Sequence, residues 1–128
     1  MNLFDIKGRV ALITGGYGIL GSSMARCLAA EGAHVVIIGR NEEKGQHLVD
    51  ELSATGTEAL FCQADVLDRE MLEKAKTQIL NKWGHIDILI NAAGGNMPGA
   101  TIAPGQTVFD LNMEHFVQVT GLNLNGTV

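Results

Sequence analysis

The sequence predicts an α/β fold in which a doubly wound parallel sheet carries helices on both of its faces. Short, nearly unbroken aliphatic runs occur four times, and segments with helical spacing lie between them. The runs occupy residues 10–13, 35–38, 59–62 and 86–90. A continuous apolar run is typical of a strand that is buried on both faces. Regular alternation of strand and helix predicts βαβ units with right-handed crossovers.

Each segment between two aliphatic runs predicts one helix. The first helix is expected to bury one side and to stop at Gly32. The residues on that side are Leu20, Met24, Cys27 and Leu28. The second and third helices are expected to begin after Asn41 and Asp68, because both side chains cap helix N-termini well. After these, residues 94–105 are expected to form a loop and residues 109–127 a last helix.

Composition limits the class of protein and partner. Hydrophobic residues make up 46% and the formal net charge is −5, so we expect a globular domain that binds neither nucleic acid nor an anionic membrane. No apolar stretch approaches membrane-spanning length. Cys27 and Cys62 lie within apolar patterns and are expected to be buried, reduced thiols of a cytoplasmic protein. The four histidines are scattered, so no metal site is predicted.

Glycines are concentrated between the first strand and the first helix, in T-G-G-Y-G-I-L-G. Gly16, Gly18 and Gly21 fit G-x-G-x-x-G, in which the missing side chains let a phosphate approach the backbone. The following helix N-terminus offers free N–H groups to a diphosphate. The stretch therefore predicts a Rossmann-like dinucleotide site. Its expected cofactor contacts are Gly15, Gly16, Tyr17, Gly18, Ile19 and Gly21.

The end of the second strand indicates which cofactor binds. A carboxylate there would accept hydrogen bonds from a free ribose 2′-hydroxyl, whereas an arginine tolerates a 2′-phosphate. This strand ends in Gly39, Arg40 and Asn41, and no carboxylate appears before Glu42. We therefore favour NADP over NAD, with Arg40 and Asn41 at the site. The alternative that Arg40 stacks on the adenine or faces water stays open.

Four motifs in order resemble those of the short-chain dehydrogenase/reductase family along essentially the whole chain. The first is K-G-R-V-A-L-I-T-G-G, and A-D-V follows the third strand. The resemblance implies that Asp65 and Val66 hold the adenine. N-A-A-G resembles the family's N-N-A-G, and N-L-N-G implies that Asn123 is the active-site asparagine that helps to hold a water of the proton relay. The residues that would flank the cofactor are Asn91, Ala92, Ala93 and Gly94.

Two features depart from the common family pattern. Ile19 stands where the usual T-G-x-x-x-G-x-G has its middle glycine, and the sequence instead matches the T-G-x-x-G-x-x-G of the extended epimerase and dehydratase branch. N-A-A-G favours the single-domain reductases. The long segment from Gly94 to Gly105 resembles a sugar-acid (mannonate or fructuronate type) sub-branch.

The resemblance implies a chemistry that needs residues absent from this sequence. Family members transfer hydride between a nicotinamide and a carbonyl or alcohol carbon, using a serine and Tyr-x-x-x-Lys. Here Tyr17 is the only tyrosine, and no serine follows Ser53. We therefore expect residues 1–128 to be the N-terminal, dinucleotide-binding portion of a single-domain NAD(P)-dependent oxidoreductase, inactive alone, for a small carbonyl or alcohol substrate.

The predicted sheet stops at its fourth strand, which affects how the chain would assemble, and two other functions stay open. The fourth strand would form an exposed edge, so self-association into a homo-oligomer is expected through that edge or through the last helix. The alternatives are a short nucleotide-binding or regulatory module without catalysis, and an extended-branch sugar-nucleotide epimerase or dehydratase.

Overall fold

A computed structural model describes residues 3–128, which divide into two compact units, one ending at Ala92 and the other spanning Ala93–Val128. The first unit alternates strands and helices. Its strands are β1 (Val10–Thr14), β2 (His34–Gly39), β3 (Ala59–Gln63) and β4 (Ile88–Asn91). Its helices are α1 (Ile19–Ala30), α2 (Glu42–Ala54) and α3 (Arg69–Trp83). The four predicted strands are confirmed, although β4 begins at Ile88 rather than at residue 86.

The four strands form one parallel sheet in the order β3-β2-β1-β4. Leu12, at the centre of β1, lies between Val36 of β2 and Leu89 of β4. The chain builds outward from β1 to β3 and then crosses back to place β4 on the other side of β1. This arrangement confirms the predicted doubly wound α/β fold and places the reversal of strand order between β1 and β4, where such folds bind ligands.

Side chains that alternate along the strands supply two hydrophobic cores, one on each face of the sheet. Ile13, Val35 and Ile37 belong to the core that includes residues of α1 and α2. Val10 and Val36 belong to the other core, which includes Ala75 and Ile79 of α3. Because a strand residue and its neighbour point to opposite faces, each aliphatic run serves both cores.

The buried side of α1 differs from the predicted one, although Leu28 packs partly against the core as expected. Gly21, Ala25 and Ala29 are buried, four residues apart, while Leu20 is 71% exposed and Cys27 is also exposed. Small residues let a helix approach the sheet closely, so in α1 the glycine and alanines pack inward and the larger Leu20 points outward. Of the two cysteines only Cys62 is buried as expected, and desolvation by burial raises the pKa of its thiol to about 11.

The predicted helix boundaries in the first unit are confirmed by their capping contacts. The Asn41 side chain accepts a hydrogen bond from the Lys44 amide at 2.9 Å, and Asp68 accepts one from the Met71 amide at 3.1 Å. Gly32 follows α1 with a φ of +83°, the left-handed conformation that favours glycine.

The second unit contains shorter helical pieces than expected. Short 3-10 turns span Pro98–Ala100 and Val108–Asp110, and α4 covers Met113–Thr120. A π-helical turn, Gly121–Asn125, follows α4 directly. The predicted helix over residues 109–127 was therefore wrong at its start, because Asn112 caps α4 by accepting the His115 amide at 3.0 Å. The first 3-10 turn lies within the segment predicted to be a loop.

Within residues 3–128, no helix is both long enough and apolar enough to cross a membrane. Over the same residues, His, Cys, Asp and Glu side chains form no group of three or more that could hold a metal ion.

Candidate functional site: the carboxyl ends of the strands

The glycine-rich turn lies where the sequence predicts, between the end of β1 at Thr14 and the start of α1 at Ile19. Gly15 adopts a φ of +63°, a conformation that a residue with a side chain rarely takes. Its N–H donates to the carbonyl of Ile38 in β2 at 2.8 Å, which fixes the start of the turn to the sheet. Gly18 is the N-cap of α1 and supplies no side-chain cap, so the first amides of the helix have no side-chain acceptor at the cap.

Two glycines of this turn occupy positions where a side chain would collide with its neighbours. A Cβ on Gly21 would lie 2.5 Å from the carbonyl oxygen of Gly15 and 2.8 Å from the Cα of Gly16. A Cβ on Gly16 would lie 2.8 Å from a methyl carbon of the buried Ile37. The turn is therefore packed closely against α1 and the sheet, with bare backbone at the helix N-terminus. Bare backbone of this kind at a helix N-terminus is typical of the cradles that bind diphosphates.

The end of β2 is organised by Tyr17. Its ring lies in the space that a Cβ on Gly39 would occupy. Its hydroxyl oxygen accepts hydrogen bonds from the backbone amides of Arg40 at 3.1 Å and Asn41 at 3.0 Å. The sequence indicated Tyr17, Arg40 and Asn41 as site residues separately, and the structure brings them together. Arg40 itself is exposed.

The turn after β3 contains the two residues expected at the adenine. Asp65 is half-buried, and its carboxylate accepts the Leu67 amide at 2.9 Å, which holds the turn in shape. Val66 is also half-buried. Gln63 is not among the predicted site residues, but its side-chain amide donates to the carbonyl of Arg40 at 3.1 Å. Its position could have indicated this contact, because Gln63 is the last residue of β3 and its register partner in β2 is Gly39.

At the strand reversal, the end of β4 pairs with the end of β1. Asn91 is the register partner of Thr14, and the Ala92 amide donates to the Thr14 carbonyl at 3.1 Å. The predicted cofactor-flanking residues Asn91 and Ala92 thus belong to the first unit. Ala93 and Gly94 belong to the second unit.

Asn123 lies in the π-helical turn of the second unit, a distortion that is frequent at functional sites. Its side-chain amide donates to the Gly95 carbonyl at 2.7 Å and to the Val119 carbonyl at 2.8 Å. Its side-chain oxygen accepts the Gly95 amide at 3.1 Å and lies where a Cβ on Gly94 would be. The side chain therefore fastens the segment after N-A-A-G to the helical turn.

A groove between α1 and α2 begins at Tyr17 and continues past Ser22, Arg26 and Glu51. Arg26 donates to both carboxylate oxygens of Glu51, at 2.6 and 3.0 Å. The pair is exposed, and these hydrogen bonds from Arg26 lower the pKa of the Glu51 carboxyl. It therefore links the two helices beside the site while leaving the groove open.

The chain is similar to known proteins in sequence. The family model described as short chain dehydrogenase matches residues 9–128. A protein from Bacillus subtilis (strain 168), named as the uncharacterized oxidoreductase UxuB, is 45% identical over 130 residues, which cover 95% of this chain and 47% of that protein. This chain thus spans about half the length of the curated relatives that it matches.

Solved structures give the same result. A putative D-mannonate oxidoreductase from Haemophilus influenza with bound NAD superposes with a TM-score of 0.86 at 30% identity, over 95% of this chain and 47% of that one. An actinorhodin polyketide ketoreductase with NADPH gives 0.81 at 30% identity, over 94% and 43%. With the fold, the glycine turn and the family match in agreement, the chain belongs to the short-chain dehydrogenase family.

Proposed function

We propose that this chain forms the adenine half of a nicotinamide dinucleotide site, in a parent enzyme that transfers hydride between the cofactor and a carbonyl or alcohol carbon. The observation that carries the proposal is the cradle at Gly16 and Gly21, where no Cβ fits and α1 begins. It lies beside the reversal of strand order between β1 and β4. The cofactor supplies the hydride acceptor or donor, and the residues of this chain bind and orient it.

Each site residue has a proposed role in binding. The amides that follow Gly18 hold the diphosphate, and Asp65 and Val66 form the adenine side of the site. Arg40 and Asn41 lie at the ribose, and Asn91 and Ala92 flank the cofactor, as Ala93 and Gly94 do in the second unit. What supports these roles is the position of the first-unit residues at the carboxyl ends of neighbouring parallel strands.

NADP is the proposed preference. Gly39 places no carboxylate at the end of β2, and the exposed Arg40 supplies a planar cation suited to a phosphate. The related structures include one with bound NAD and one with NADPH, so both cofactors occur among similar proteins.

The proposed substrate is a small carbonyl or alcohol compound, with a sugar acid as the finer proposal because a putative D-mannonate oxidoreductase is among the similar structures. We assign proton transfer to a serine and a Tyr-x-x-x-Lys that are not in this sequence. Its one tyrosine, Tyr17, is followed four residues later by Gly21 and not by a lysine. Asn123 is proposed to be the active-site asparagine of the parent enzyme, where it would help to hold a water of the proton relay. We therefore expect this chain to bind cofactor without oxidising it.

The test is calorimetric titration of the chain with NADPH and NADH, with Arg40→Gln as the second protein. We expect both cofactors to bind, and NADPH to bind more tightly. Arg40→Gln should weaken the binding of NADPH alone, by roughly tenfold, because it removes a charge-assisted contact to a phosphate. Tighter binding of NADH would contradict the preference. Failure of the folded chain to bind either cofactor would contradict the function itself.

Self-association is proposed through β4. This strand lies at one end of the sheet, and Leu89 on it is 57% exposed. Edge strands with apolar side chains pair readily with another copy. Analytical ultracentrifugation at rising concentration should show a dimer or larger species, and a monomer at the highest concentration would contradict this proposal.

A further inference from the structure

The contact between Tyr17 and the end of β2 has features of an occupied binding site. Two successive backbone amides, those of Arg40 and Asn41, converge on one oxygen at 3.1 and 3.0 Å. Convergent amides of this kind are how a backbone holds an oxygen of an anion. In this structure the oxygen is the Tyr17 hydroxyl. A phenol oxygen has two lone pairs, so both are used here.

This placement depends on the absence of a side chain at residue 39. A Cβ on Gly39 would coincide with the Tyr17 ring, so any larger residue at that position displaces the ring. Gly39 therefore has a second role besides removing a carboxylate from the ribose site. It provides the space in which Tyr17 reaches the two amides.

We propose that Tyr17 is a specificity-determining residue, whose hydroxyl competes with the 2′-phosphate of NADP for the Arg40 and Asn41 amides. A 2′-phosphate offers only acceptor oxygens, so it binds at these donors after the hydroxyl leaves. A ribose with a free 2′-hydroxyl leaves Tyr17 in place. This inference rests on the proposed function, since it assumes that the adenosine ribose lies at the end of β2.

The surroundings of Tyr17 permit this exchange. Its ring packs partly against the core on the α1 and α2 side, but it also lines the open groove between those helices. The ring can therefore leave Gly39 without opening the sheet. An internal competitor lowers the apparent affinity for the ligand by the fraction of molecules in which it has moved away. Two hydrogen bonds at the lower end of the usual net strength, as we expect beside an open groove, would lower the apparent affinity by about tenfold.

The experiment compares two nucleotides that differ only in the 2′-phosphate, adenosine 5′-monophosphate and adenosine 2′,5′-bisphosphate. Their affinities are measured by calorimetry for the native chain and for Tyr17→Phe, which removes only the hydroxyl. Trp83→Phe is the matched control, because it removes one aromatic side-chain donor, the Trp83 N–H that donates to Glu58 at 2.9 Å. Amide chemical shifts of Arg40 and Asn41 are followed by NMR in the same samples.

We expect Tyr17→Phe to bind the 2′,5′-bisphosphate about tenfold more tightly and the 5′-monophosphate within about twofold of the native value. Trp83→Phe should change neither affinity. The Arg40 and Asn41 amide resonances should move on loss of the hydroxyl, and in the native chain on addition of the 2′,5′-bisphosphate.

Two results would overturn the inference, and one of them would also overturn the proposed function. If both nucleotides bind the native chain but Tyr17→Phe leaves their affinity ratio unchanged or lowers it, Tyr17 is not a competitor, and the dinucleotide function stands. If neither nucleotide binds the folded native chain, the proposed function fails and this inference fails with it.

Discussion

The two units of this chain are held together in different ways. Among residues 3–128, all of the fully buried hydrophobic side chains lie in the first unit, on both faces of its sheet. In the second unit the apolar residues of α4 are largely exposed, Val117 by 63%. Its order comes from polar contacts, among them the Asn112 cap and the bonds from Asn123 to Gly95. Burial stabilises the first unit, whereas local hydrogen bonds shape the second.

This difference separates two kinds of site residue. In the first unit the glycine-rich turn is held against the sheet, because Gly16 packs against the buried Ile37 and Gly21 packs against Gly15 and Gly16. In the second unit Asn123 positions backbone that has little buried surface of its own. Regions of that kind open locally at low free-energy cost. We expect perturbations of the first unit to change global stability and those of the second to change local order.

The largest effect should follow Gly21→Ala. The new Cβ would meet backbone atoms of Gly15 and Gly16, which move only with the turn. We expect unfolding to become easier by about 1–3 kcal/mol, as in other overpacked sites. Loss of even one amide hydrogen bond to a charged diphosphate costs about 1.5–3 kcal/mol, or roughly 10- to 150-fold in the Kd for NADPH.

Urea unfolding and calorimetry measure the two effects of Gly21→Ala. Gly121→Ala is the matched control in the second unit, because its Cβ would meet nothing within 4 Å. Native-like NADPH binding by Gly21→Ala would show that the close packing of the turn is not required.

A pair of identical truncations tests the contrast in burial directly. Val35→Ala removes methyl groups that are fully buried in the first unit, while Val117→Ala removes the same groups from an exposed position in α4. We expect a loss of about 2 kcal/mol for Val35→Ala, from lost burial and the cavity left behind. For Val117→Ala the change should stay within about 0.5 kcal/mol. Equal losses in urea unfolding would mean that α4 is buried in solution.

More of the structure of the first unit than of the second could be predicted from the sequence. Its strands are unbroken aliphatic runs, and Asn41 and Asp68 cap helices by side-chain chemistry that acts within three residues. In the second unit the weaker apolar pattern predicted a helix that starts too early, because it did not reveal that Asn112 is the N-cap of α4.

The errors within the first unit have a different physical origin. Hydrophobic spacing favoured Leu20 as an inward residue of α1, but the close approach of the helix selects glycine and alanine instead. The contact of Tyr17 with the Arg40 and Asn41 amides depends on the space at Gly39, which only the folded sheet brings near. Motif spacing indicated these residues, but it carried no information about their contacts with each other.

A smaller effect is expected in the second unit. Asn123→Ala removes the side chain that bonds to both backbone groups of Gly95 and to Val119. Because the site is exposed, we expect a change of about 1 kcal/mol or less in global unfolding, and faster hydrogen exchange at the Gly95 amide. Asn96→Ala, which removes only a contact with Thr101, is the control. Unchanged exchange at Gly95 would show that Asn123 does not order this segment.

The smallest expected effect concerns a polar contact at the opposite end of the sheet from the site. The Asp87 carboxylate accepts the Val10 amide at 2.8 Å and lies 2.9 Å from His85 Nδ1, with Arg9 at 3.4 Å. The Val10 hydrogen bond, followed by the interactions with the His85 and Arg9 side chains, lowers the pKa of Asp87. A folded-state pKa below the unfolded value of about 3.9 stabilises the fold above that pH, and this contribution is lost as pH falls through the folded-state pKa.

Asp87→Asn should therefore unfold at lower urea than the native chain at neutral pH, with a difference that shrinks in acid as the native carboxyl is protonated. Asp50→Asn makes the same charge change on the exposed side of α2 and should show a smaller difference at neutral pH. A difference for Asp87→Asn that is constant with pH would mean that the carboxylate's charge contributes nothing. Burial would then account for more of the stability of the first unit, and the contrast with the second unit would be sharper than the contacts at Asp87 suggest.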